Sequence, residues 1–215
     1  MTWILRRFRI STPMESFHIW AQPWWVNLLL LVPALSYLHW RRTGLLLSRQ
    51  TLLTLALFGA AFGYVEAVVV VYLRTAAGIS GHDGSAIFQL QNAPATYPQV
   101  TASLAQFSRS LRTIEAFREA ATMVMLVSIA LLADARARER WGAFLWTFAA
   151  WDLTYYAGLW AILRWPSSLQ DIDVLFLIPV PWVAQVWYPV LVSALTLLAV
   201  ALSQAEKTAY TRNPG

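Results

Sequence analysis

The sequence predicts an all-α fold, a polytopic transmembrane helix bundle of four to five spans with one Pro-broken segment near residues 174–186. Three observations carry that prediction. The chain of 215 residues is 58% hydrophobic and only 13% charged, where a soluble domain is roughly 45–50% apolar and about 25% charged. Its mean hydropathy is +0.51. The apolar residues form runs about as long as a bilayer is thick, and the Arg residues gather just outside them. The last run is far too long for one span, and Pro179, Pro181 and Pro189 interrupt it.

Each element follows in order. Residues 1–22 mix Arg6, Arg7 and Arg9 with Trp3, Phe8, Phe17 and Trp20, a pattern for an N-terminal segment lying in the headgroup region. The short apolar patch before that basic cluster has no small-residue cleavage site, so it does not read as a removable signal. A single transmembrane domain is expected over 23–204. Its first span, 24–40, is short and holds Pro33, but aromatic residues stand at both ends as an interfacial belt would require. The second, 51–73, carries Gly59-x-x-x-Gly63, a smooth face for close helix approach, and then Glu66. Residues 75–100 are rich in Gly, Ser, Asn, Gln and Pro and read as the one long loop.

A third helix is expected from about residue 101, lying along the surface through Leu104, Phe107 and Leu111 before it crosses over 114–133. The charged turn 134–140 leads to a fourth span, 141–163, with Asp152, Tyr155 and Tyr156 inside it. From Val174 the chain is free of charge for about 30 residues, against the ~20 that suffice to span. A short re-entrant or interfacial piece is therefore expected before a final helix over 187–202, with 205–215 as a C-terminal tail.

Charge and chemistry bound the function. The net charge of +5 sits mostly in Arg residues that flank spans, so nucleic acid is not an expected partner. With no Cys and three His, thiolate chemistry is excluded and an imidazole metal centre has little to draw on. The short connections place Arg41, Arg42, Arg49, Arg136, Arg138, Arg140, Lys207 and Arg212 on the cytoplasmic side, which turns the 75–100 loop outward; the basic N-terminus disagrees with that assignment unless 24–40 does not cross. Glu66, Glu115, Arg118, Glu119 and Asp152 then fall in one leaflet, with Tyr155 and Tyr156 beside Asp152 and with Arg74, Arg164, Asp171 and Asp173 at the same mouth. A charge at such depth costs about 2.5–3.5 kcal/mol on insertion scales, so these groups need partners.

Glu66, Glu119 and Asp152 are the candidate catalytic groups, supported by Glu115, Arg118, Tyr155, Tyr156 and Arg74. Arg118 or Arg74 is the expected counter-charge, with Arg118 paired to Glu119. Glu66, Glu115, Glu119 and Asp152 are also the candidate ligands of a divalent cation, since oxygen-only sets suit Mg, Ca or Mn. A structural reading stands beside this one: Glu115 at a helix start and a snorkelling Arg118 can be interfacial, and Glu66 and Asp152 can be parts of a helix lock.

Several motifs, taken together, resemble a group of uncharacterised bacterial integral membrane proteins. They are Phe62-Gly63-Tyr64-Val65-Glu66, Val70-Val71-Tyr72-Leu73-Arg74, Arg118-Glu119-Ala120-Ala121-Thr122, Trp151-Asp152-Leu153-Thr154-Tyr155-Tyr156, Trp165-Pro166 and Leu175-Phe176-Leu177-Ile178-Pro179-Val180-Pro181-Trp182. The resemblance covers about 52–200 and implies a multi-pass protein of the bacterial inner membrane, without an activity. One departure is that Val183-Ala184-Gln185 stands where Gly-Pro is expected after the Trp.

Three functions fit these residues. The first is a membrane enzyme or divalent-cation-binding protein using the carboxylates. The second is a small-solute or proton-coupled transporter, against which the lack of a visible inverted repeat counts. The third is a non-catalytic subunit or assembly factor, with a homo-oligomer or membrane-complex partner. In each case the lipid bilayer is the expected surrounding.

Overall fold

The computed structural model describes residues 20–76, 101, 104 and 108–212, with side chains to Leu73 in the first stretch and to Gln204 in the last. A 3-10 helix, Trp24–Leu30, runs directly into α1, Leu31–Trp40. Pro33 explains the boundary: it lacks a backbone donor, and the first turn of an α-helix is where that donor is not needed. The 3-10 winding is tighter and rises further per residue, so seven residues at ~2.0 Å and ten at ~1.5 Å reach about 29 Å. Asn27, a polar residue in an apolar stretch, folds back on the start of the segment. Its side chain accepts from the Ala21 amide at 3.0 Å and donates to the Ala21 and Trp24 carbonyls at 2.9 and 2.8 Å.

After Gly44, which takes a positive φ of 65°, the chain enters α2, Arg49–Ala76. The α3 helix, Arg109–Ala133, begins at a Ser108 cap whose hydroxyl accepts the Leu111 amide at 3.2 Å. Thr101 and Leu104 are helical too. The third helix expected from residue 101 is described without a gap from Arg109, and residues 105–107 before its Ser108 cap lie outside the described residues. Then come α4, Ala137–Leu163, and α5, Trp187–Arg212, joined by a two-stranded antiparallel hairpin of β1, Ile172–Phe176, and β2, Trp182–Gln185. Helix α5 starts where the sequence placed it but runs through the segment expected as a tail. The Gln204–Arg212 stretch is rich in helix formers and meets no breaker before Pro214.

Helices α2, α3 and the Trp187–Gln204 part of α5 are long and apolar enough to cross a membrane. Large apolar side chains face outward along them, among them Leu53, Leu57, Phe117, Val124, Leu132 and Leu198. Helix α4 is the centre of the bundle: its most extensive interface is with α2, and α3 and α5 pack on it as well. Gly59 and Gly63 make the α2 contact. A Cβ on Gly59 would stand 2.6 Å from the Thr147 carbonyl oxygen, and one on Gly63 would overlap the Trp151 carbonyl oxygen. The small-residue face therefore serves packing within the chain.

Neighbouring elements alternate in direction, so the bundle has two distinct ends. One holds residues 41–48 and 134–136, closed by two apolar clusters, Trp40–Leu45–Leu145–Val200 and Leu47–Leu55–Ala130–Ala143. The other holds the hairpin, the start of the 3-10 helix and the start of α3. At that end Gln22 pairs with Val183 through two 2.8 Å backbone hydrogen bonds, which adds a third short edge to the hairpin. Val183 thus uses its backbone N–H, which a proline could not supply. The Pro-broken segment is a hairpin with a tip of Leu177–Pro181. Its strand residues satisfy one another's backbone groups, and its prolines lie outside the ladder.

Candidate functional site

A cavity of about 640 Å³ runs along α4. Helix α4 forms its floor from Trp141 to Tyr156, α3 one wall, and α5 with the 3-10 helix and α1 the other, while the hairpin roofs one end. Helix α3 makes no substantial interface with α1 or α5, so the described helices leave a gap between the two walls. The fifteen-residue rise from Trp141 to Tyr156 makes the floor about 22 Å long.

The helical repeat assembles the first polar group. Glu115, Arg118, Glu119 and Thr122 are spaced at i, i+3, i+4 and i+7 and share one side of α3. That side meets Glu66 of α2, which is 5% exposed. Arg118 donates through Nη1 to Glu66 Oε2 and through Nε to Glu115 Oε2 at 2.8 Å. Thr122 donates its hydroxyl proton to the other Glu66 oxygen at 2.7 Å. Arg118 is therefore the counter-charge of Glu66 and Glu115, and the expected Glu119–Arg118 pair does not form. Glu119 turns instead to the hairpin tip, where its Oε2 accepts the Leu177 amide at 2.8 Å. The side chain of Arg74 lies outside the described side chains.

A second polar group faces the first. Asp152 of α4, 7% exposed, accepts the Ser193 hydroxyl of α5 on Oδ2 at 2.8 Å; its Oδ1 has no protein donor among the described residues. Tyr156 donates to Asp173 Oδ2 of β1 at 2.8 Å, and Asp173 Oδ1 accepts its neighbour Val174's amide at 2.9 Å. Tyr155 stacks edge-on against Tyr156 and lies over Trp151. Of the sequence candidates, Glu66, Arg118, Glu119, Asp152, Tyr155 and Tyr156 all line the cavity; Glu115 reaches it only through Arg118.

The four candidate metal ligands are not gathered into one. Their oxygens answer three separate partners, Arg118, the Leu177 amide and the Ser193 hydroxyl, and among the described residues no group of three or more His, Asp or Glu is placed to hold a metal ion. The reason is geometric: Glu66 and Glu115 close on a guanidinium between them, whereas Glu119 and Asp152 are drawn toward a backbone amide and a hydroxyl on other elements.

The sequence places Asp173 at the mouth without giving it a role, and it does not point to Thr122, Ser193 or Trp182 as part of the site. A signal existed for Ser193, which with Thr196 forms an i, i+3 polar pair inside an otherwise apolar run. For Trp182 there is none, because the hairpin that brings it over the cavity leaves no periodicity in so short a stretch.

The polar groups lie at the hairpin end of the cavity. The rest of its length is apolar, lined by Trp141, Phe144, Leu145, Phe148, Leu29 and Val32. The class defined this far is a helical membrane protein with a polar-headed cavity beside its central helix. No protein-family model, curated protein or solved structure matches the chain.

Proposed function

We propose that this is a multi-pass membrane protein whose cavity binds a lipid-like amphiphile, its polar head among Glu66, Arg118, Glu119 and Asp152 and its chain along the apolar floor of α4. The single observation that carries this reading is the division of one continuous cavity about 22 Å long into a carboxylate-rich end and an apolar trough, which runs about 10 Å along α4 from Trp141 to Phe148. Burying an alkyl chain there is worth about 0.8 kcal/mol per CH₂ relative to water. The gap between the walls offers access from the bilayer. The packed clusters at the opposite end favour a binding pocket over a through path.

Within this reading the protein acts as a membrane enzyme on the bound amphiphile. Asp152, with one oxygen unengaged, is the acid–base candidate, and Glu119 is the second carboxylate. The divalent-cation alternative has less support because the carboxylates are dispersed over separate partners.

The same reading places five crossings in a bacterial inner membrane: the 3-10 helix with α1, then α2 to α5. The hairpin end faces outward and the Arg41, Arg42, Arg49, Arg136, Arg138 and Arg140 end faces the cytoplasm. A cysteine at Gln170 should react with an impermeant thiol reagent in intact cells and one at Ala137 should not; the reverse pattern would overturn the orientation. Binding is tested with a long-chain alcohol carrying a terminal photoreactive group. Crosslinks are expected on Phe144 and Phe148, and Val192→Trp, which fills the trough, should remove them while the protein still migrates as a monodisperse species. Labelling confined to the outer faces of α2 and α3 would defeat the reading.

A further inference from the structure

We infer that the outer face of α3 carries a second site, an open groove that holds the phosphate of an anionic phospholipid from the surrounding bilayer. Arg109, Arg112, Thr113, Ala116, Phe117 and Ala120 fall at i, i+3, i+4, i+7, i+8 and i+11, so they form one stripe along the first turns of the helix. That stripe is turned about a third of a turn away from the one that carries Glu115, Arg118 and Glu119. It lines a groove of about 500 Å³ whose other bank is Ile178 at the hairpin tip. Ile178 also borders the large cavity, so the tip stands between the two spaces. The charge of the groove is opposite to that of the cavity. Its lining has two guanidinium groups and no carboxylate, where the cavity is lined by Glu66, Glu119, Asp152 and Asp173 against one Arg. Arg118, Arg136 and Arg138 are held by carboxylates, but among the described residues neither Arg109 nor Arg112 has one. The Thr113 hydroxyl gives its proton to the Arg109 carbonyl at 2.9 Å, which leaves the recognition of an anion to the two guanidinium forks. Three residues apart on a helix, they are neighbours that can close on one phosphate.

Depth selects a lipid over a free phosphate. Counted back from Ala133, about 20 residues at ~1.5 Å cover the ~30 Å hydrocarbon thickness and end near Ile114. Arg112 and Arg109 then stand about 3–7 Å further out, in the headgroup layer. Ala116, Phe117 and Ala120 lie at the depth of the acyl chains. The two alanines leave room there, and Phe117, 73% exposed, forms an apolar wall. A phospholipid meets both halves at once, with its phosphate on the Arg pair and the upper part of one chain between Phe117 and Ile178. Inorganic phosphate would use the upper half alone. A choline or ethanolamine head would bring its own cation to a place that already has two, so the groove prefers a lipid of net negative charge.

The test uses the full chain in nanodiscs of phosphatidylcholine holding a small fraction of phosphatidylglycerol, with a diazirine near the carbonyl end of one phosphatidylglycerol chain. Crosslinks mapped by mass spectrometry are expected on residues 116–120, and unlabelled phosphatidylglycerol should compete them away. Next to an anionic lipid each guanidinium contributes about fivefold in affinity, so Arg109→Gln combined with Arg112→Gln should cut this labelling about 25-fold. Both side chains are exposed, so the double variant should melt with the parent, and Arg42→Gln at the opposite end should leave the labelling unchanged. Phosphatidylcholine carrying the same diazirine should label the stretch far less; this comparison is made on the parent chain and needs no variant. Equal labelling by the two lipids would overturn the site, as would labelling that survives the double variant or fails to reach residues 116–120 at all. Displacement of the lipid by millimolar inorganic phosphate would reveal an ion site without a lipid and would overturn it too.

Discussion

The bundle buries an arginine–carboxylate pair at each end, and the two are built to different purposes. At the packed end Glu139, with no exposed surface, takes Arg138 Nε and Nη2 on one oxygen at 3.0 and 2.8 Å and the Leu46 amide on the other at 2.8 Å. Arg138 then donates to Thr43 at 2.7 Å. Every oxygen is answered, and the loop between α1 and α2 is tied to the start of α4. At the hairpin end Arg118 joins Glu66 and Glu115, but the same group borders a cavity, and the nearby Asp152 keeps an oxygen free. The same chemistry is saturated at the packed end and adjoins an unengaged Asp152 oxygen at the hairpin end, and the proposed binding reading rests on that contrast.

The largest effect should come from breaking the outer pair. Arg118→Met leaves Glu66 buried with Thr122 as its one donor, and should cost about 3 kcal/mol of stability. Glu66→Gln in the same chain should return a good part of it, so a cycle in urea or by thermal melting should show a coupling of about 1–3 kcal/mol. Strictly additive losses would mean that the two are not partners. Glu119 in place of Glu66 should show little coupling with Arg118.

Somewhat smaller is the loss at the inner lock. Glu139→Ala strands the Leu46 amide while Arg138, a quarter exposed, can reach solvent, so about 2 kcal/mol is expected. The comparison is sharpened by ligand binding: photolabelling of the α4 trough should survive Glu139→Ala and should be lost in Asp152→Asn. Equal loss in both would erase the distinction between lock and site.

Removing the hydroxyl that ties the hairpin to α4 should matter less. Tyr156→Phe frees one Asp173 oxygen at a cost of about 1 kcal/mol, and amide exchange of 172–176 should speed up while α4 stays protected. Unchanged exchange would mean that the hairpin is held by Glu119 and Gln22 alone.

The smallest effect is expected at the turn between α3 and α4. Hydrogen bonds from the Arg136 side chain and amide hold the Asp134 carboxyl well below its ordinary value of 3.8. A lowered folded-state value means a contribution present above about pH 4 and lost as pH falls further, but on a solvated turn it is screened. Melting temperature of Asp134→Asn should match the parent from pH 7 to 5, and a fall there would show the turn to be part of the inner lock.

Much of this was legible from residue order. Apolar run lengths placed α2, α3 and α5, and the prolines at 179 and 181 required a break before Trp187, where α5 begins. Ionisable groups in apolar surroundings need partners, and that rule alone selected Glu66, Arg118, Glu119 and Asp152 as neighbours of one cavity. Spacing along α3 even put Glu115, Arg118 and Glu119 on one side, because 3.6 residues per turn is a local property. Which carboxylate Arg118 would take was not local. Glu119 is four residues away in the chain, yet the close approach of α2 to α4 through Gly59 and Gly63 sets where Glu66 stands, and the hairpin tip offers Glu119 an amide that no sequence pattern announces. The cavity was decided the same way: its hairpin roof needs Val183 to find Gln22 across the fold, and among the described helices its two walls stay apart because α3 packs on α4 and not on α1. Such pairings are set by the sum of all packed interfaces, and only the folded chain evaluates that sum.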